Sequence, residues 1–233
     1  ARRNLTARFF EIGRCFAPSD GLLPRESLRL GIALHGPVVH EWHTPGRDLD
    51  FYDLKGAVDL LLAGLRVPGV SWEPVEDPVL HPTRAARVRA AGRVLGNAGE
   101  LSPEAAARHD LPHRAYVAEL DLATLLELAA PPSGVAEIPR FPSVLLDLAV
   151  SVPEEVPAAA VLATARAAGG PLLEGVRLFD LYRGGQVGEG RKSLGLSLSF
   201  RRSDRTLKEE EALAARNAIA AAVSAGHGGQ VRA

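Results

Sequence analysis

The stretch of this chain closest to a known chemical motif runs from Gly184 to Ser193 and reads GGQVGEGRKS. A phosphate-binding loop requires Gly, four residues, then Gly-Lys-Ser or Gly-Lys-Thr, followed by a helix whose N-terminus faces the phosphates. Here Arg191 separates Gly190 from Lys192, and the residues that follow, SLGLSLSF, alternate with the period of a strand. The stretch therefore predicts a hairpin connection, in which the glycines are free to take positive φ: Gly184, Gly185, Gly188 and Gly190.

The other residues with chemical potential do not assemble into a site. A zinc protease needs H-E-x-x-H, with the two histidines one helical turn apart, whereas His40 and His43 are three residues apart in a Pro-flanked loop. His81 precedes a proline, which is typical of a turn residue. No nucleophile, base and orienting acid occur together. The sequence predicts neither catalytic residues nor a metal site.

Composition limits the classes of protein that this chain can belong to. Its 233 residues are 46% hydrophobic and 24% charged, which is typical of a globular protein of one or two domains. No apolar run reaches membrane-span length, and no secretory signal opens the chain, so we expect a cytoplasmic protein without a membrane partner. The single cysteine, Cys15, excludes an internal disulfide. Because the chain begins without Met and directly before strand-like sequence, we expect a fragment of a longer protein.

A Pro-rich stretch divides the chain. Residues 130–143, APPSGVAEIPRFPS, have no hydrophobic period and predict a linker over residues 131–142 after a first domain at 1–130. In that domain RFFEIGRCF, SLRLGIALH and HRAYVAELDL alternate like strands. The spacing from Asp50 to Leu65 predicts a helix, and Ser102 before Pro103 predicts the start of a short one.

The second domain, residues 143–233, has a clearer order of elements. A strand from Leu146 to Val152 precedes a Pro-initiated, Ala-rich helix that ends at two glycines. Two strand patterns flank the Gly-rich stretch, and Thr206 with Glu209 forms a T-x-x-E capping box that opens a second helix. With a last strand at GQVR, the order β-α-β-β-α-β predicts a ferredoxin-like fold.

Alternation along these strands assigns side chains to the two faces of the sheet. In a ferredoxin-like domain the helices cover one face and leave the other open. With Phe179 and Leu181 in the core, Asp180 and Tyr182 face outward. The remaining residues predicted on the open face are small or polar: Asp147, Ala149, Ser151, Ser193, Gly195, Ser197 and Ser199.

Basic residues should surround this face. Seven basic and three acidic residues lie between Arg177 and Arg205, against a net charge of -1 for the whole chain. We expect the rim of the face to consist of Arg183, Arg191, Lys192 and Arg201. An aromatic ring among small residues and cations suits unpaired bases, as in RNA loops. Two other kinds of face would show the same pattern: one that packs against another domain, and one that is exposed to water through its serines.

Taken in order, these segments resemble one family closely, the β subunit of bacterial phenylalanine–tRNA ligase. FFEIGRCF, DFYDLKGAVDLLL, LHPTRAA, GNAGELSPE and YVAELDL are similar to its catalytic-like domain. FPSVLLDLAV, GGPLLEGVRLFDLYRG, EGRKSLGLSLSF and RTLKEEE are similar to its anticodon-binding domain. The resemblance covers nearly the whole chain, and LFDLYRG, GRKSL and RTL-x-x-EE stand at the spacing typical of the family.

The resemblance implies an α+β chain, with an incomplete class II synthetase-like antiparallel module followed by a ferredoxin-like βαββαβ domain. It implies that the first domain is non-catalytic and supports an α subunit, which binds ATP and Mg²⁺ in an (αβ)₂ assembly. This fragment would hold no cofactor and would be inactive alone. The second domain would bind the anticodon stem-loop of tRNA(Phe).

By motif position, the resemblance implies that Tyr182 stacks on the first anticodon base and that Ser193 and Ala149 line its pocket. Three departures from the family pattern stand out. Leu145 and Leu146 occupy positions where arginine is usual, Ser102 replaces a usual His, and Thr83 replaces a usual Gly. The alternative that the sequence leaves open is a regulatory module that binds a small metabolite on its ferredoxin-like domain.

Overall fold

The structure is a computed structural model that describes residues 6–38, 42–43, 46–131, 134 and 138–232. The chain divides into two compact units, residues 1–134 and residues 135–233. Part of the predicted linker, residues 132–133 and 135–137, lies outside the described residues, as does His40. None of the helices in the described ranges combines the length and the apolar character that a membrane span requires.

The first unit is built on an antiparallel sheet. Its elements in chain order are β1 (Ala7–Ala17), β2 (Arg25–His35), β3 (Pro37–Val38), β4 (Arg47–Asp48), α1 (Phe51–Gly64), β5 (Ser71–Pro74), β6 (Leu80–Ala90), β7 (Arg93–Leu101), α2 (Pro103–Arg108), β8 (Ala115–Asp121) and α3 (Leu122–Leu128). Six strands form one sheet in the order β1-β2-β8-β7-β6-β5, and β3 pairs with β4.

Helix α1 packs on this sheet through Leu54, Val58 and Leu62, which are buried at helical spacing. Asp50 caps the helix: its carboxylate accepts hydrogen bonds from the backbone N–H groups of Tyr52 and Asp53. The Asp53 carboxylate in turn accepts from the Asp50 N–H at 2.8 Å. The helix predicted at Asp50 to Leu65 is therefore present, and its start is fixed by a reciprocal cap.

The sequence analysis predicted β1, β2, β8 and the Ser102-capped helix α2, but neither β6 nor β7. Strand β6 reads LHPTRAARVRA, which is rich in Arg and Ala. These residues have weak strand propensity, so the strand depends on its pairing with β5 and β7 rather than on local preference. Helix α3 was also missed, because its seven residues are too short for a clear period.

Strand β1 is the edge of the six-stranded sheet and exposes large apolar side chains. Phe9 is 68% exposed, Phe10 75%, Ile12 54% and Phe16 61%. Cys15 is exposed in the same strand. A row of exposed apolar side chains on one strand is characteristic of a surface that contacts another protein.

The second unit has the predicted β-α-β-β-α-β order. Its elements are β9 (Val144–Pro153), α4 (Ala158–Ala168), β10 (Leu173–Tyr182), β11 (Arg191–Phe200), α5 (Glu209–His227) and β12 (Gln230–Arg232), with 3₁₀ turns at Gly170–Leu172 and Gly185–Val187. The four strands form one sheet in the order β10-β11-β9-β12. This is the arrangement of a ferredoxin fold, with the first and third strands in the middle.

Helices α4 and α5 cover one face of this sheet. Buried residues of both helices, among them Val161, Ile219 and Val223, pack against the inward residues of the two central strands. Those inward residues are Leu148, Val150, Val152, Leu194, Leu196, Leu198 and Phe200. We call the opposite surface of the four strands the open face.

The predicted capping box of Thr206 and Glu209 is wrong. Helix α5 begins at Glu209, and the carboxylate that accepts from a cap N–H is that of Glu211, from Lys208 at 3.1 Å. Glu211 also receives two hydrogen bonds from the Arg205 guanidinium, at 2.6 and 2.8 Å. This bidentate pair fixes the start of the helix two residues after the position that the T-x-x-E pattern indicates.

These contacts give a pH dependence. The hydrogen bonds from Arg205, and then that from Lys208, lower the pKa of the Glu211 carboxyl from 4.5 to about 2. Because the pKa is depressed in the folded state, the stabilisation is complete above pH 4.5 and disappears as the pH falls towards 2. The midpoint temperature of thermal unfolding of Glu211→Gln should therefore be lower than that of the wild type at pH 6. This gap in midpoint temperature should close on acidification. Glu210→Gln is the control and should show no such gap; a gap independent of pH would contradict the assignment.

Candidate nucleic-acid interface

A β-bulge in β10 determines which side chains reach the open face. Leu178 pairs with Leu196 and Asp180 with Gly195, so Phe179 is an extra residue opposite a continuous β11. A β-carbon built at Gly195 would lie 3.0 Å from Cζ of Phe179 and 3.0 Å from Cβ of Asp180. Both side chains therefore lie on the open face. The prediction that Phe179 is a core residue is wrong, because the bulge interrupts the period of two.

Tyr182 lies on the open face, as predicted, and pairs with Ser193 on β11. It is 41% exposed. Its ring folds over Gly184, where an added β-carbon would lie 2.7 Å from Cζ of Tyr182. Gly184 has φ 176°, so it is extended, and only Gly188 and Gly190 of the four loop glycines take positive φ. Gly184 is therefore required for the close approach of the ring and not for its backbone conformation.

The small residues predicted beside Tyr182 lie on the two central strands. Ser193 pairs with Ser151, and Gly195 pairs with Ala149, across β11 and β9. Ser193 is 8% exposed and Ser151 3%. Together with Ala149 they form a low floor next to the Tyr182 ring rather than a set of projecting groups. Such a floor admits a flat ligand close to the backbone.

Two of the four predicted rim cations are engaged elsewhere. Arg183 forms a bidentate ion pair with Glu154, with its Nη2 2.7 Å from Oε1, and this pairing lowers the pKa of the Glu154 carboxyl below its usual range. Lys192 does not lie on the rim: it is buried, and its ammonium donates to the Glu154 carbonyl at 2.6 Å. Because Lys192 pairs with Val152, it points to the helix-covered side of the sheet.

Arg201 is also displaced from the expected rim. It follows the opposite end of β11, eight residues beyond Ser193, which is about 27 Å along an extended strand. Its Nε lies 3.0 Å from the Glu174 carboxylate, and its Nη1 donates to the Phe141 carbonyl at 2.9 Å. Arg201 therefore belongs to a salt-bridged corner and not to the surroundings of Tyr182.

Arg191 is the predicted cation that does face the open side near Tyr182. Its Nε donates to Oγ of Ser151 at 2.9 Å, and its Nη2 donates to the carbonyls of Ser151 and Gly228 at 2.6 and 3.0 Å. All three acceptors are uncharged. Among the described residues no carboxylate pairs with Arg191, so its positive charge is held in place without being neutralised.

Arg177 was missed by the sequence analysis, because the alternation that places Asp180 and Tyr182 outward assigns Arg177 to the core side when the bulge is not known. It pairs with Ser197, which places it on the open face beyond the bulge, and it is exposed. Within the described part of the chain it makes no ion pair. The signal that could have placed it is its position between Val176 and Leu178, two apolar residues that both pack against the core. The rim thus consists of Arg191 and Arg177 rather than of the four residues expected.

The departures at Leu145 and Leu146 have different structural consequences. Leu145 pairs with Ser199 on the open face and is 68% exposed. Leu146 pairs with Leu198 and packs against the core under the helices. An arginine at the first position would add a cation to the open face, so its replacement by leucine leaves that end of the face apolar.

Other candidate chemistry is not brought together. No group of three or more His, Cys, Asp or Glu side chains in the described ranges is arranged to hold a metal ion. His43 packs edge-on against Trp42, with ring centroids 5.0 Å apart. On the six-stranded sheet a groove of about 1040 Å³ contains Arg29, which lies 3.8 Å from Glu119. The open face of the second unit combines exposed aromatic rings, a small-residue floor and two cations that pair with no carboxylate of the described ranges.

The position of the Tyr182 ring gives a direct structural test. Gly184→Ala should displace the ring, because the new methyl group occupies its place, whereas Gly185→Ala should not, since no atom lies within 4 Å of an added β-carbon there. Both changes are at the surface and should alter the free energy of unfolding by no more than about 0.5 kcal/mol. The ring signals of Tyr182 in NMR spectra report the displacement. Unchanged signals in Gly184→Ala would contradict the close approach.

Comparison with known proteins follows the division into two units. Residues 1–122 match the model of the family described as the phenylalanyl tRNA synthetase beta chain CLM domain. Residues 139–232 match that of the ferredoxin-fold anticodon binding domain. These matches agree with the strand order of the second unit.

The chain is also similar to proteins named phenylalanine–tRNA ligase beta subunit. It is 43% identical to that of Moorella thermoacetica over all of its length, 43% identical to that of Symbiobacterium thermophilum over 93%, and 36% identical to that of Bacillus cereus over all of it. The chain spans 29%, 24% and 29% of the length of these relatives.

Proposed function

Because this chain belongs to the family of phenylalanine–tRNA ligase β subunits, we propose that its second unit binds the anticodon stem-loop of tRNA(Phe). The observation that carries the proposal is Tyr182, an exposed aromatic residue on the open face that pairs with Ser193 and lies beside a floor of small residues that includes Ala149. The chain would contribute to an enzyme by binding, with no catalytic residue of its own.

Stacking is the interaction that this geometry supports best. An unpaired base of the loop lies against the Tyr182 ring, and its edge reaches the floor formed by Ser193 and Ala149. Base–aromatic stacking contributes about 1–3 kcal/mol per base. Arg191, fixed and not neutralised by a carboxylate, contacts a phosphate beside this base. The other predicted cations have at most a minor part in the contact. Arg183 and Lys192 are hydrogen-bonded to Glu154, and Arg201 lies at the far end of the strand.

The first unit would have a structural role. Its six antiparallel strands, with helices packed on one face, support kinship with the catalytic core of class II synthetases. We propose that it supports a catalytic α subunit in an (αβ)₂ assembly in the cytoplasm, and that ATP and Mg²⁺ bind in that subunit. The domain boundaries proposed are 1–130 and 143–233, with a linker at 131–142.

The alternative, a regulatory module that binds a small metabolite, is less well supported. The family matched by residues 139–232 is described as anticodon binding. The open face is also the side of the sheet that the helices leave uncovered, and its two aromatic residues lie between Arg191 and Arg177 in the strand register. Such a surface suits a polyanion with flat bases better than a small ligand, which is usually buried in a concave pocket.

The first test measures RNA binding. A fluorescent anticodon stem-loop of tRNA(Phe) is titrated with the chain at low and moderate salt, beside a loop with an altered first anticodon base. We expect binding that prefers the unaltered loop and weakens with salt. Tyr182→Ala should remove about 1–3 kcal/mol of binding free energy, and Tyr182→Phe should retain most of it because the ring remains.

Tyr52→Ala is the matched control, since Tyr52 is an exposed tyrosine of the first unit. Its affinity for the loop should equal that of the wild type. Equal losses in Tyr182→Ala and Tyr52→Ala, or no binding of either loop by the wild type, would rule out the open face as the anticodon-binding surface.

The second test concerns the α subunit. We place its contact on β1, where Phe9 and Phe10 are exposed. The double change Phe9→Glu and Phe10→Glu should abolish co-purification of a co-expressed α subunit, because two charges would be buried in an apolar interface. Leu60→Glu, at a residue 76% exposed on α1, is the control and should leave the complex intact. An intact complex in the double variant would exclude β1 as the contact.

A further inference from the structure

The open face presents a second aromatic ring beside Tyr182. Phe179 lies over Gly195, and Tyr182 lies opposite Ser193. On β11, Ser193 comes two residues before Gly195. Two residues of an extended strand span about 7 Å. The two aromatic residues therefore occupy neighbouring positions along the sheet, and the spacing of their partners on β11 is about twice the 3.4 Å rise between stacked bases. Two adjacent nucleotides that are splayed apart fit this spacing.

The position of Phe179 is not explained by packing. Its ring is 51% exposed and is not among the side chains that pack against the core of the second unit. If the extra residue Phe179 were absent, Asp180 would follow Leu178 directly and would still pair with Gly195. No aromatic ring would then cover Gly195. A bulge on an edge strand that directs an aromatic ring outward is typical of a binding surface.

Charged groups on this face lie on either side of the rings. Arg177 pairs with Ser197, two residues beyond Gly195, and Arg191 begins β11 two residues before Ser193. In the register of β11 the order is therefore Arg191, Tyr182, Phe179 and Arg177, with successive backbone positions about 7 Å apart. Asp180 shares the position of Phe179, so its carboxylate disfavours a phosphate there and leaves the place between the arginines to bases.

We propose that the open face binds two consecutive unpaired nucleotides, with Tyr182 stacked on one base, Phe179 on the neighbouring base and Arg177 on a flanking phosphate. This inference rests on the proposed function, since it assumes that the face binds the anticodon loop. It adds a second stacking residue and a second phosphate contact to the site, and it sets the site size to two bases rather than one.

The test compares Phe179→Ala with Leu181→Ala. Leu181 belongs to the same strand and is 45% exposed, but it pairs with Leu194 and therefore lies on the opposite face. For the tRNA(Phe) anticodon stem-loop, Phe179→Ala should weaken binding between about 5-fold and 150-fold, which is the range for loss of one stacked base. Leu181→Ala should leave binding within about 2-fold of the wild type, since its side chain does not reach the RNA.

Abasic loops identify the base that contacts Phe179. Two loops are compared, each of which lacks one of the two bases that flank the first anticodon base. For one of these loops, the wild type and Phe179→Ala should bind with equal affinity. In that loop the stacking partner is absent, so nothing remains for the change to remove. Removal of the first anticodon base should likewise cancel the effect of Tyr182→Ala but not that of Phe179→Ala.

The outcomes separate this inference from the proposed function. If Tyr182→Ala weakens binding and Phe179→Ala does not, the face binds RNA through one base and the inference is wrong. If neither change weakens binding, or the wild type does not bind the loop, the proposed function fails and the inference fails with it. A loss in Phe179→Ala that persists in every abasic loop would show that Phe179 acts through the sheet and not by stacking.

The phosphate contact has its own measurement. Arg177→Gln should make the dependence of log K on log salt concentration less steep by about 0.7, which corresponds to one phosphate contact on a single strand. Arg183→Gln is the control, because Arg183 is paired with Glu154, and its slope should equal that of the wild type. Equal slopes for the wild type and Arg177→Gln would exclude Arg177 from the phosphate contacts.

Discussion

The open face depends on one irregularity in strand pairing, the bulge at Phe179. On the N-terminal side of the bulge, Val176 and Leu178 pack towards the helices, and the regular alternation of β10 and β11 builds the core. On its C-terminal side the pairing of Asp180 with Gly195 and of Tyr182 with Ser193 restores the register, shifted by one residue. The bulge thus lets one strand both seal the core and present two aromatic rings on the other side of the sheet.

Glycine positions complete this arrangement in two different ways. Gly195 has no side chain, so the Phe179 ring can lie against the sheet, and Gly184 allows the Tyr182 ring to fold back over the loop. Gly188 and Gly190, in contrast, take positive φ and close the connection to β11. The GGQVGEGRKS stretch is therefore a hairpin connection, as predicted, but its glycines serve ring placement as well as backbone turning.

The sequence predicted the elements with strong periodicity and the faces of the regular strands. The order of the second unit and the outward position of Tyr182 could be derived because β11 alternates without interruption. Phe179 was misplaced because the bulge interrupts the period of two, so that counting back from Leu181 assigns Phe179 to the core although Leu178 also packs inward. Strands β6 and β7 were missed because pairing, and not residue preference, makes them strands. The class II relationship of the first unit, the domain boundaries and the RNA-binding residues stay predictions.

The charge pattern could not be derived from the sequence, because several partners of the basic residues between Arg177 and Arg205 lie outside that stretch. Glu154 pairs with Arg183 and Glu174 with Arg201 across 29 and 27 residues of the chain, whereas Glu211 pairs with Arg205 from six residues further on. What matters for binding a polyanion is therefore which cations have no carboxylate partner, not how many there are.

Arg191 shows how the fold keeps such a cation in place. Its guanidinium donates to a hydroxyl and two carbonyls, one of them the carbonyl of Gly228 at the C-terminal end of α5, where the helix dipole favours a positive charge. Neutral acceptors and a helix end orient the side chain while its charge remains available to a phosphate. An ion pair of the Arg183 type would orient it equally well but would cancel that charge. The neutral acceptors around Arg191 thus keep it out of a salt bridge and leave its charge for the phosphate contact that we propose.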